Sequence, residues 1–104
     1  MPPQSVPENA TALDFWARVC TETSVGLIKN HRILTKSTTK WKTKLRASLD
    51  RRLGLARRVR SDLINWYHHE VRYRGLSEPR SLRVSRMLSD FDHLICLVES
   101  QLDR

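Results

Sequence analysis

The run Trp66–Arg74, WYHHEVRYR, sets two histidines, a glutamate, two tyrosines and two arginines within nine positions. Metal ligation is the first chemistry such a run brings to mind. If the run is helical, however, the adjacent His68 and His69 point about 100° apart, which does not make a two-ligand face. Neither histidine has HExxH spacing, and the two cysteines, Cys20 and Cys96, lie far off in sequence, so no metal site is expected. Trp66 and Val71 are expected to pack, leaving Tyr67, His68 and Arg72 as a rim within reach of a ligand. Asp62 and Glu70 stand eight residues apart and need not share a face, so ion pairing suits them better than acid and base roles. There is no nucleophile elbow and no glycine-rich phosphate loop. The chain is therefore expected to have no catalytic residues and no cofactor, and to act by binding.

What it would bind is indicated by charge. The formal net charge is +8. From Lys29 to Arg60 there are twelve basic residues against one acid, Asp50, a segment charge of +11, while the remainder has seven basic and ten acidic residues, or −3. Charge gathered in one segment can act as a site, whereas charge spread evenly mostly keeps a protein in solution. Within a helix, Lys40, Lys44, Arg51 and Arg58 follow one another at steps of four, seven and seven, which puts them on one side. Lys36 continues the row, and Arg52 and Arg57 flank it. From Lys40 to Arg58 is about 27 Å along a helix axis, approaching one turn of a duplex, so such a row can meet phosphates on successive backbone segments.

No Asn or Gln lies in the row to read base edges, and the aromatic and glycine signatures of single-strand binders are missing. The function expected is sequence-nonspecific binding of duplex RNA or DNA through phosphate contacts from Lys36, Lys40, Lys44, Arg51, Arg52, Arg57 and Arg58. The alternative is a helical adaptor or assembly subunit that takes an acidic protein partner. In either case, Asp90 and Asp92 pairing with Arg52 or Arg60 would make part of the basic surplus structural.

These side chains need helices to position them. Three prolines before Asn9 mark residues 1–8 as a flexible arm, followed by one all-helical domain over 9–104. The first helix is expected over about 9–35, from the recurrence of Leu13, Trp16, Val19, Cys20, Thr23, Leu27 and Leu34, capped at Asn9 or Thr11 and bent or divided near Gly26. After a turn at Ser37, Thr38 and Thr39, the second runs over about 38–74 on Trp41, Leu45, Leu49, Leu53, Ala56, Val59, Leu63 and Trp66. Gly54 marks either a close helix crossing or a simple loss of helix propensity. Gly75 is expected as a left-handed C-cap, with Ser77 or Ser81 starting a third helix over about 81–102 whose seam is Leu82, Met87 or Leu88, Phe91, Leu94 or Ile95, Val98 and Leu102.

The fold class that follows is all-α, three helices with a long basic central one. Because so short a chain leaves much of a long helix uncovered, a homodimeric bundle is expected. The three tryptophans, Trp16, Trp41 and Trp66, all fall on apolar stripes and are expected to pack. The two cysteines are expected as buried free thiols, which suits a reducing, intracellular setting in cytoplasm or nucleus. No signal peptide and no run of membrane-spanning length occurs, so no membrane is expected.

Overall fold

In each helix one apolar position returns every seven residues: Leu13, Cys20, Leu27 and Leu34; then Leu49, Ala56 and Leu63; then Val84, Phe91 and Val98, all of them buried. A seven-residue repeat keeps its stripe turned toward a neighbouring helix along the whole length, so three such helices close on one another around a shared seam. The computed structural model describes residues 5–36 and 39–102, with side chains in 11–36 and 42–102. Its elements are α1 (Ser5–Lys36), α2 (Thr39–His69) running on into a π-helical turn (Glu70–Arg74), and α3 (Glu78–Leu102). They form a three-helix rod with extents of 61 × 19 × 18 Å.

The long central helix is covered within one chain. Leu49, Leu53, Ala56 and Leu63 of α2 are buried with the α1 and α3 stripes, and Leu45, Val59 and Trp66 pack against the same cluster. Burying a leucine side chain contributes about 1.5–3 kcal/mol, so this seam, repeated along three helices, is the main support of the fold. The core therefore does not need a second chain to complete it. Trp16 of α1 meets Trp66 of α2 at 6.3 Å between ring centroids, both half-buried. The side chain of Trp41 lies outside the described residues.

Several expectations are corrected. α1 begins at Ser5, ahead of the expected start, because Pro7 falls in the first turn, where the missing N–H has no helical partner to lose. It also runs unbroken through Gly26 to Lys36. Gly26 serves packing instead: a β-carbon there would stand 2.6 Å from Nη1 of Arg52, so α2's arginine lies directly against α1 at this point. At Gly54, by contrast, an added β-carbon meets nothing within 4 Å, which removes the close crossing and leaves the propensity loss. The expected turn residues Ser37 and Thr38 lie outside the described residues, and α2 starts at Thr39.

At its far end α2 stops short of Arg74 and widens into the π turn. There the Gly75 N–H donates to the Glu70 carbonyl five residues back, at 2.7 Å. Gly75 has the positive φ expected of it, 78°, but with ψ 140° it is extended in ψ, outside the left-handed helical region. α3 starts at Glu78, where the Ser81 N–H donates to the Ser77 carbonyl at 2.8 Å, and Pro79 sits in the first turn. Its buried positions are Val84, Phe91, Ile95 and Val98. Leu82, expected in the seam, is 52% exposed, because the seven-residue return from Phe91 lands on Val84. Val71 is exposed as well, since the π turn rotates it off the α2 stripe. Cys20 is buried as expected, but Cys96 is exposed; both thiols are free.

Candidate functional site

Two α2 faces carry arginines, and their surroundings differ. On the side turned to α3, Arg57 Nη2 donates to Glu99 Oε2 at 2.7 Å, Arg60 pairs with Asp92, and Arg46 donates to the Leu102 carbonyl. The expectation that acids of the third helix would take up part of the basic surplus holds for Arg60 with Asp92, and Glu99 adds Arg57 to it. Arg52 is not among these ion pairs; it lies over Gly26 of α1.

The outer side of α2 carries Lys44, Arg51 and Arg58, seven residues apart and all exposed, with no ion pair among the described residues. Lys44 to Arg58 is fourteen residues, about 21 Å along the axis. On the same side Ser48 and the exposed Leu55 lie between them, and the exposed Asp62 stands one turn beyond Arg58. Lys40 belongs to α2, but its side chain lies outside the described residues.

Lys36 lies on α1, the partner helix of the α1–α2 hairpin. The two helices are antiparallel, and the contacts Trp16 with Trp66 and Gly26 with Arg52 pair residues whose numbers add to 82 and 78. Residues summing to about 80 therefore stand level along the rod, which sets Lys36 at the height of Lys44 and Lys29 at the height of Arg51. The seven residues expected as a site thus separate: Lys44, Arg51 and Arg58 are exposed on the outer side of α2, Lys36 is exposed on α1, Arg52 reaches α1, Arg57 faces α3, and the side chain of Lys40 lies outside the described residues.

The expected rim is less open than its composition implies. Tyr67 is half-buried and packed against the core, with the exposed His68 ring 5.8 Å from it. Arg72 is exposed and lies over the Tyr73 ring, 5.6 Å from its centroid. Glu70 is buried and approaches Arg74 at 3.8 Å, so this carboxylate serves the π turn. No group of three or more His, Cys, Asp or Glu among the described residues is placed to hold a metal ion.

A cleft of about 300 Å³ opens between α1 and α3, where Cys20 and Thr21 meet Met87, Asp90 and Phe91. Burial raises the Cys20 thiol above its ordinary range, which keeps it protonated near neutrality and unsuited to attack as a thiolate. A second groove, of about 430 Å³, runs along the outer surface of α1, lined among the described residues by Val25, Ile28, Lys29, Arg32, Ile33 and Lys36. Its three apolar members are exposed despite the apolar core beneath. The core periodicity of α1 does not point to them, although their signal is present in the sequence: they lie off the Leu13–Leu34 stripe by roughly half a turn.

Among the described residues no helix is long and apolar enough to cross a membrane. Comparison of the chain with protein-family models, with curated proteins and with solved structures finds no match.

Proposed function

We propose that the chain binds duplex nucleic acid, RNA or DNA, without reading its sequence, through the row of Lys36, Lys44, Arg51 and Arg58. The observation that carries this reading is the contrast within α2: Arg57 and Arg60, turned to α3, have carboxylate partners, whereas the outer row has none among the described residues. Unpaired cations seven residues apart on a stiff helix recur about every 10.5 Å and hold their spacing when a polyanion arrives. Arginine offers paired N–H donors to phosphate oxygens.

Arg52 extends the row toward α1, whereas Arg57 must leave Glu99 to take part. Tyr67, packed against the core, lies off this face, and no contact joins His68 or Arg72 to the row among the described residues. The homodimer expected from chain length belongs to the same proposal: it would bring two rows together and roughly double the phosphate contacts. An intracellular setting fits the exposed free thiol of Cys96.

The test is fluorescence anisotropy of the full chain against a labelled duplex of about 20 base pairs, as RNA and as DNA, and against the single strands, from about 50 to 300 mM salt. Duplex preference with affinity falling steeply as salt rises is the expected result. Absence of binding to any of them at low salt overturns the proposal.

A further inference from the structure

From the outer surface of α1 we infer a second binding site, for an acidic amphipathic helix of a partner protein. The groove there has a volume of about 430 Å³ and, among the described residues, is lined by Val25, Ile28, Lys29, Arg32, Ile33 and Lys36. These residues are spaced at steps of three, one, three, one and three, the spacing by which one helix presents a stripe to another. α1 therefore has two stripes. Leu13, Cys20, Leu27 and Leu34 are buried in the core, and the second stripe faces solvent about half a turn away.

Three observations make this stripe more than leftover surface. Val25, Ile28 and Ile33 are 59%, 37% and 42% exposed. All three are β-branched, so each is a poorer helix former than the charged or polar residues that an outward position ordinarily takes. Neither burial nor helix propensity explains them. Finally, Lys29, Arg32 and Lys36 are exposed beside them and form no ion pair among the described residues.

Charge selects the occupant. A second copy docked stripe to stripe would set three cations against three, so this surface opposes self-association. An anionic lipid surface would meet only three apolar side chains over about 17 Å of helix, none of them the Trp, Phe or Leu that anchor an interfacial helix. A partner helix with an apolar ridge flanked by Asp and Glu meets both features: its ridge seats on Val25, Ile28 and Ile33, and its carboxylates reach Lys29, Arg32 and Lys36. The apolar contacts separate this site from the duplex row, with which it shares only Lys36.

The experiment uses the full chain and a labelled synthetic helical peptide of about 18 residues with a leucine ridge flanked by glutamates, together with the same peptide carrying lysines. Phosphatidylserine vesicles and the 20-base-pair duplex are measured alongside. The acidic peptide is expected to bind and the lysine peptide to fail. Val25→Ser with Ile28→Ser should weaken peptide binding at least tenfold, leaving the circular dichroism spectrum and duplex affinity unchanged. Lys44→Glu with Arg51→Glu should do the reverse, abolishing duplex binding and sparing the peptide, so the two proposals fail separately. No peptide binding up to about 500 µM, or binding untouched by the Val25 and Ile28 changes, overturns the inference. So does capture by vesicles with loss at the same two residues, or a joint fall in peptide and duplex affinity, which would assign the stripe to lipid or to the duplex row.

Discussion

The two sides of α2 carry the same residue types and meet different neighbours. Toward α3, Arg57 and Arg60 end on Glu99 and Asp92. On the outer side, Lys44, Arg51 and Arg58 face solvent. A basic segment is thus not one functional unit: acids on an adjacent helix claim part of it for the fold, and the remainder is available to a ligand. The paired arginines are still substantially exposed, so each contact contributes little, in the range of about 0–1 kcal/mol typical of surface pairs. Their consequence is chiefly a reduced local charge on the side of α2 turned to α3.

The largest effect that tests this division is charge reversal of the outer row. Lys44→Glu, Arg51→Glu and Arg58→Glu together should lower duplex affinity by on the order of a hundredfold or more at about 50 mM salt, with helicity retained, as read by anisotropy and circular dichroism. Arg57→Glu and Arg60→Glu should change duplex affinity much less. An equal fall in affinity from both sets would erase the distinction between the two sides.

Next in size is Gly54→Ala. With nothing within 4 Å of an added β-carbon, the change should stabilise the protein by about 0.5–1 kcal/mol, measured by urea denaturation. Duplex affinity should be unchanged or slightly reduced, since one methyl group between Arg51 and Arg58 barely raises the surface. Destabilisation would mean that a close contact exists there.

On the paired side, Arg60→Ala should cost about 0.2–1 kcal/mol, and this should shrink in about 1 M salt. The double change Arg57→Glu with Glu99→Arg should recover most of the stability that Arg57→Glu alone removes. No recovery would detach Arg57 from Glu99. Smallest in energy is a contrast in thiol reactivity: Cys96 should react at once with a disulfide reagent, and Cys20 only when the protein is unfolded, because Cys20 is buried and its pKa is raised. Rapid reaction of both thiols in the native protein would place Cys20 outside the core.

The sequence made the helices legible because their evidence is local. The seven-residue return of leucines and the Gly75–Pro79 stop are visible without any fold, and the α2 stripe from Leu45 to Trp66 packs as its spacing implies. Local reasoning failed where the competing effect was tertiary. Gly26 weakens helix propensity, yet α1 continues, because packing of Leu27 and the approach of Arg52 hold it. The exclusion of Val71 depends on the π turn, and that of Leu82 on the helical phase that brings Val84 under Phe91. Within the candidate site, the row of Lys44, Arg51 and Arg58 is readable from spacing alone. The diversion of Arg57 to Glu99 is not, since the two lie 42 residues apart and meet only through the register of α2 against α3.

The most direct measurement is the salt dependence of duplex binding for three proteins: the parent chain, Lys44→Gln with Arg51→Gln and Arg58→Gln, and Arg57→Gln with Arg60→Gln. If the outer row holds phosphates, the first variant should flatten the log-log salt slope by about 0.9 for each phosphate no longer neutralised, so by roughly 2.7, and the second should leave it nearly as in the parent. A parent slope preserved in the outer-row variant, with helicity intact, would contradict the assignment of polyanion binding to that side of α2.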